Sequence, residues 1–231
     1  MAGESNVRPL GTLQLCEQHG FRHAVFISWP HEISRRGRDI VNKLAISLQE
    51  SFQDYPGLKG DGVFLDSNRL AVGYQWDKEL RFRLARSAVT VAILVPTYFS
   101  SDYCAIEWGI TTDLQALRMQ NPRRTCFIPI QLISEPPGPP LEVGAIQFER
   151  EFAAVFVSGR NFETNSRWRV LVQSIKDQVF DAIREICKTT RDWPREEAIA
   201  AARDSFEFTW RASLEPQPDP TFPTMKSVEH R

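Results

Sequence analysis

The sequence has few of the features that mark secreted, membrane or nucleic-acid-binding proteins. Its 231 residues include four cysteines and no CxxC pair, which is typical of a reduced chain rather than a disulfide-stapled one. No window approaches the roughly 18 consecutive apolar residues of a membrane span, and residues 1–20 lack the apolar run of a signal peptide. The formal net charge of −1 favours neither nucleic acid nor an anionic membrane. We therefore expect a cytoplasmic protein that binds no nucleic acid and no membrane.

Motifs for metal ions, phosphates and dinucleotides are also missing. Cys16, His19 and His23 have metal-like spacing, but a fourth ligand is lacking, so we expect no metal site. The glycines between residues 57 and 62 match neither the P-loop pattern nor the GxGxxG pattern of a Rossmann turn. The sequence therefore does not predict a P-loop or Rossmann site.

Short apolar runs alternate with helical patterns, which predicts an α/β fold with a parallel sheet and helices on both faces. Strands are expected at 24–28, 63–65, 88–95, 125–130 and 153–157, and helices at 36–54, 75–86, 102–119 and 166–188. Residues 1–20 are expected to form a flexible leader. Residues 191–231 are expected to hold a short helix, at 195–208, and a flexible proline-rich tail.

One carboxylate stands out because of where it lies along the chain. The strand expected at 88–95 leads directly into a helix that carries Glu107, and ligands of open α/β sheets bind at the carboxyl ends of strands. Ser101 and Asp102 are both candidate N-caps of that helix. On a helical wheel Glu107 lies at the edge of the apolar stripe that includes Tyr103, and Trp108 points away. Glu107 is thus a candidate site residue; the alternative is an acid that only complements the helix dipole.

Several short boxes, in order, resemble the Toll/interleukin-1 receptor (TIR) domain, most closely its bacterial and plant-type members. The boxes are VFIS at 25–28, VFLD at 63–66, then Leu70, Gly73, Leu80 and Ser87, and finally Ser101, Tyr103, Cys104 and Glu107. The resemblance implies a TIR domain over residues 21–190. It also implies a flavodoxin-like, doubly wound sheet of five parallel strands in the order 2-1-3-4-5.

The resemblance further implies an enzyme that acts on NAD⁺. Glu107 matches the glutamate with which enzymatic TIR domains cleave the nicotinamide–ribose bond, and is therefore the expected catalytic residue. NAD⁺ would be the substrate, with no further cofactor, and the products would be nicotinamide and ADP-ribose or a cyclic isomer. Enzymatic members often act as effectors in immunity or anti-phage defence. The expected substrate-binding residues are Ser28, Trp29, His31, Ser101, Tyr103 and Cys104.

The sequence departs from many enzymatic members at two positions. Tyr103 stands where many have tryptophan, and it offers a smaller stacking surface. Trp29 is followed by Pro30 and His31, where some members have basic residues. A diphosphate contact from this loop is therefore not predicted.

A second function class stays open, because the segment 66–74 matches the BB loop through which TIR domains pack on each other. Three of its residues, Leu70, Ala71 and Val72, are apolar although a loop is expected to face solvent. The expected interface residues are Asp66, Arg69, Leu70 and Gly73. The protein would then associate with itself, as an enzyme active on assembly or as a non-enzymatic scaffold, with a separate activating partner as a further possibility.

Overall fold

The computed structural model describes residues 11–58, 62–65, 74–121, 124–132, 162–189 and 192–205. Within these ranges the chain forms four strands: β1 (His23–Ser28), β2 (Val63–Leu65), β3 (Ser87–Leu94) and β4 (Phe127–Gln131). Helices of the described chain are α1 (Thr12–Gln18), α2 (Arg35–Gln53), α3 (Tyr74–Ala85), α4 (Asp102–Arg118), α5 (Ser166–Ile186) and α6 (Trp193–Ala202). Two short 3-10 helices lie at Pro96–Ser100 and Phe162–Thr164.

The four strands form one parallel sheet in the order β2-β1-β3-β4. Val25 of β1 pairs with Val63 of β2 and with Val89 of β3, and Thr90 pairs with Phe127 of β4. This confirms the predicted α/β class and the order of the first four strands. The fifth strand, expected at 153–157, lies outside the described residues.

The central strands β1 and β3 are mostly apolar and almost entirely buried, because helices cover both faces of the sheet. All eight residues of β3 are buried, a pattern typical of the middle of a parallel sheet. Phe26 of β1 packs with apolar residues of α3, α4 and α6, whereas its neighbours Val25 and Ile27 pack in the core that includes α2 and α5. Alternate side chains of β1 therefore pack into two hydrophobic cores, one on each face of the sheet.

Residues 12–18 differ from the expected flexible leader, because they form helix α1 and pack on α5. Leu13 and Cys16 are both fully buried. Gly57, at φ +120°, lies so close to α1 that a Cβ there would be 2.4 Å from the Gln14 nitrogen. The helix is therefore part of the core. It is not predicted from sequence because its apolar pattern is too short to establish a helical period.

The short helix expected at 195–208 is present as α6, at Trp193–Ala202, and it packs on α3 and α4. Its Glu196 forms an ion pair with Arg118 of α4 at 2.8 Å, and both side chains are only 3% exposed. The same guanidinium donates to three backbone carbonyls between residues 85 and 88, at 2.6 to 3.2 Å. Across the described ranges, no helix is both long and apolar enough to cross a membrane.

Candidate functional site

Three buried polar side chains meet at the carboxyl edge of β1 and β3. Ser28 is the last residue of β1, Tyr98 lies in the 3-10 helix that follows β3, and Glu107 lies in the second turn of α4. The Ser28 hydroxyl donates to Glu107 Oε2 at 2.5 Å and lies 2.9 Å from the Tyr98 hydroxyl. None of the three residues is more than 2% exposed. The order of the sheet reverses between β1 and β3, so the cluster occupies the topological switch point.

The direction of the second hydrogen bond follows from the first. A serine hydroxyl has one proton, and that of Ser28 goes to Glu107, so Tyr98 must donate to the Ser28 oxygen. Burial raises the pKa of Tyr98 well above its ordinary value, and the charges of Cys104 and Glu107 raise it further. Its hydrogen bond with Ser28 has the smaller, opposite effect. Tyr98 therefore remains a protonated donor at neutral pH.

Local sequence fixes where Tyr98 and Glu107 sit. Pro96 begins the 3-10 helix directly after β3, and the Tyr98 backbone N–H donates to the Val95 carbonyl at 2.8 Å. Of the two predicted N-cap candidates, Ser101 caps α4 by accepting from the Cys104 backbone N–H, and Asp102 is the first residue of the helix. The strand end, the short turn and the cap together direct α4 so that Glu107 faces the edge of the sheet.

Helix α4 is buried over a wider arc than the predicted stripe. The expectation that Trp108 points away is wrong: its ring is buried in edge-on contact with Phe127, at a centroid distance of 4.5 Å, and with Tyr98 at 6.1 Å. Glu107, expected at the edge of the apolar stripe, is fully buried, whereas Tyr103, expected within the stripe, is 44% exposed. The physical reason is that α4 packs against β4 and also against α3 and α6, so a single-stripe wheel underestimates its buried face.

The other predicted substrate-binding residues lie on two segments next to this cluster. Trp29 is buried and stacks on the half-buried His31, with ring centroids 4.8 Å apart and planes 27° apart. Ser101, Tyr103 and Cys104 lie at the start of α4, where Ser101 is the cap and the Cys104 thiol is fully buried. The structure joins Ser28 directly to Glu107, and the binding roles of all six residues stay predictions.

The predicted interface residues Asp66, Arg69, Leu70 and Gly73 lie outside the described residues. Their role in docking stays a prediction as well. In the described part of the chain, no group of three or more His, Cys, Asp or Glu side chains is placed to hold a metal ion.

Sequence analysis missed Tyr98, which is as buried as any residue of the cluster. The signal available in the sequence was its position two residues after Pro96, just past a buried strand, which suggests that the tyrosine is buried as well. A buried tyrosine needs a hydrogen-bond partner for its hydroxyl. That partner, Ser28, is 70 residues away in the chain and could only be found from the fold.

A cavity of about 480 Å³ lies at the opposite edge of the sheet. It is lined by residues 18–20, which precede β1, by residues 187–189, which follow α5, and by Trp193. Because Glu107 lies past the other end of the strands, this cavity is not part of the candidate site.

The fold and the buried carboxylate at the switch point define an open α/β domain with a candidate ligand site at its carboxyl edge. The family model for the TIR domain matches residues 25–172, a range that includes Ser28, Tyr98 and Glu107. The chain therefore belongs to the TIR domain family, which confirms the resemblance seen in the sequence.

Among solved structures, the chain is similar to the TIR domains in a structure of the activated Roq1 resistosome directly recognizing the pathogen effector XopQ. The match has 18% identity and a TM-score of 0.34, and it covers 75% of this chain and 94% of that chain. At this identity and score it carries no functional argument. No curated protein matches the sequence significantly.

Proposed function

We propose that this TIR domain is an NAD⁺ nucleosidase that cleaves the nicotinamide–ribose bond, with Glu107 as the catalytic residue. The observation that carries the proposal is the position of the Glu107 carboxylate. It lies at the switch point between β1 and β3, in a domain of a family whose enzymatic members use a glutamate for this reaction. NAD⁺ would be a substrate, and the reaction requires no other cofactor.

The reaction needs little beyond a well-placed carboxylate. Nicotinamide leaves with the electron pair of the bond between its ring nitrogen and ribose C1′, and it leaves as a neutral molecule, so no general acid is required. Positive charge develops on the ribose, and a carboxylate in a dry site stabilises such charge more strongly than water does. A water oxygen then bonds to C1′ and releases a proton, giving ADP-ribose. Attack by an adenine nitrogen instead gives a cyclic isomer.

The hydrogen bond from Ser28 supports this use of Glu107. Glu107 Oε2 accepts a hydrogen bond from this hydroxyl at 2.5 Å, and it would accept one from a ribose hydroxyl in the same way. Nearby aromatic rings offer stacking surfaces for nicotinamide or adenine, and Tyr103 is exposed enough to do so. Because Glu107 is almost fully buried, substrate reaches it only after neighbouring side chains move, and we propose that this accompanies assembly of several copies.

A specific observation favours a second candidate, a non-enzymatic TIR scaffold. The Glu107 carboxylate is buried and hydrogen-bonded within its own domain, as a purely structural acid would be. In that case homotypic docking through Asp66, Arg69, Leu70 and Gly73 would be the whole function. Either candidate acts through self-association, and we propose a cytoplasmic role in immune or anti-phage defence for both.

The experiment that separates the two is incubation of the full chain with NAD⁺ at high protein concentration, followed by chromatography of the products. The enzyme hypothesis predicts release of nicotinamide by the wild type and by Glu79→Gln, a control that removes an exposed carboxylate on α3. It predicts that Glu107→Gln releases nicotinamide at least about a hundredfold more slowly. If all three proteins release nicotinamide only at the same background rate, the enzyme hypothesis is excluded and the scaffold function is favoured.

A further inference from the structure

The Tyr98 hydroxyl is not needed for the proposed chemistry, yet it is fully buried and bonded to a residue that contacts Glu107. We infer that Tyr98 is a positioning residue, which holds the Ser28 hydroxyl so that Ser28 donates a hydrogen bond to the Glu107 carboxylate. The catalytic consequence of this inference rests on the proposed function. The arrangement of the three side chains does not, and it can be measured without turnover.

The tyrosine ring is held by packing, independently of its hydroxyl. Trp108 meets the ring edge-on at a centroid distance of 6.1 Å, and Phe99 does so at 5.7 Å. The 3-10 helix fixes the backbone through the Tyr98 N–H and the Val95 carbonyl. The hydroxyl is therefore presented at a fixed point, and it is Ser28 that adjusts to it.

The Ser28 hydroxyl hydrogen can rotate about the Cβ–Oγ bond, so its direction depends on the groups around it. When Tyr98 donates to one lone pair of the Ser28 oxygen, the serine proton is left to point elsewhere, and the Glu107 oxygen at 2.5 Å accepts it. A chain of hydrogen bonds in a dry environment strengthens each of its members. Tyr98 thereby fixes the orientation of the Glu107 carboxylate through the hydroxyl of Ser28.

The test is a double-mutant cycle on NAD⁺ cleavage with Tyr98→Phe, Ser28→Ala and the combined variant. Tyr98→Phe keeps the ring and removes only the oxygen. We expect its kcat to fall about tenfold, the loss of one buried hydrogen bond, with KM for NAD⁺ changed less than about twofold. If Tyr98 acts through Ser28, the combined variant has the kcat of Ser28→Ala alone. A kcat for the combined variant that falls by the product of the two single effects would overturn the inference.

A matched control removes a tyrosine hydroxyl elsewhere. Tyr55 is partly exposed and packs edge-on against Phe180 of α5, so Tyr55→Phe is expected to keep wild-type kcat and KM. Thermal unfolding of every variant separates positioning from a loss of folded protein. A fall in kcat that disappears when rates are expressed per folded molecule would make Tyr98 merely structural, which contradicts the inference.

The second readout is the ¹³C resonance of the Glu107 carboxyl, assigned by its absence in Glu107→Gln. We expect it to move in Tyr98→Phe and in Ser28→Ala, to move no further in the combined variant, and to stay in place in Tyr55→Phe. If the resonance moves in Tyr98→Phe while the wild type cleaves no NAD⁺, the proposed function is refuted and the positioning is supported. A resonance unchanged by Tyr98→Phe would overturn the positioning, whatever the activity.

Discussion

Glu196→Gln, in α6, is expected to destabilise the whole domain although it lies outside the range matched by the family. Glu196 and Arg118 pair at 2.8 Å with both side chains 3% exposed. Removing one charge of a buried pair costs about 3 to 5 kcal/mol, because the remaining charge stays desolvated. Because Arg118 keeps its three carbonyl acceptors, we expect the loss of unfolding free energy to lie at the lower end of this range, about 3 kcal/mol. For a domain of this size that corresponds to a fall in Tm of about 6 to 12 °C.

The control is the same chemical change in an exposed pair. Asp181 of α5 lies 3.1 Å from Arg124 and 2.8 Å from Arg184, and all three side chains are about half exposed. Exposed pairs contribute less than about 1 kcal/mol, so Asp181→Asn should lower Tm by no more than about 4 °C. Calorimetry of the two variants beside the wild type gives the comparison. Equal shifts for Glu196→Gln and Asp181→Asn would refute the reasoning that α6 is docked through a buried charge.

Two further predictions concern substrate binding and assembly. Tyr103→Ala should raise KM for NAD⁺ more than it lowers kcat, because Tyr103 is 44% exposed and is expected to stack on substrate rather than pack in the core. A large fall in Tm with an unchanged KM would show that the ring contributes to packing instead. Leu70→Glu should lower specific activity, because a charge in a docking surface opposes association. Wild-type specific activity should correspondingly rise with protein concentration, and a flat response over about a hundredfold dilution, unchanged by Leu70→Glu, would exclude assembly through this segment.

The strands could be predicted from sequence because burial on both faces leaves a continuous apolar run. Residues 88–95 were expected as a strand, and β3 spans Ser87–Leu94 with every residue buried. Helix α1 could not be predicted in this way, since seven residues with two buried side chains are too short to establish a period. Helix α6 was expected, but its packing on α3 and α4 was not. An analysis of apolar residues alone assigns Glu196 to the solvent-facing side, whereas this side chain is buried.

The candidate site was predictable in position but not in its contacts. The resemblance and the strand order place Glu107 at the edge of the sheet, and the cap at Ser101 was visible in the sequence. The partners of Glu107 come from two other segments, and no local pattern links Ser28 with Tyr98 across 70 residues. The inward packing of Trp108 depends on elements that cover α4 from two sides, which a helical wheel does not include.

The central claim is that the buried Glu107 carboxylate is catalytic in cleavage of the nicotinamide–ribose bond. The most direct measurement is the rate of nicotinamide release by Glu107→Gln relative to wild type, at equal and high protein concentration. Glutamine keeps the size of the side chain and can still accept the hydrogen bond from Ser28, so the fold should persist with a Tm close to that of the wild type. The account predicts a fall in kcat of at least about a hundredfold, the typical loss when a group that stabilises transition-state charge is removed. A well-folded Glu107→Gln protein that cleaves NAD⁺ at the wild-type rate would contradict it.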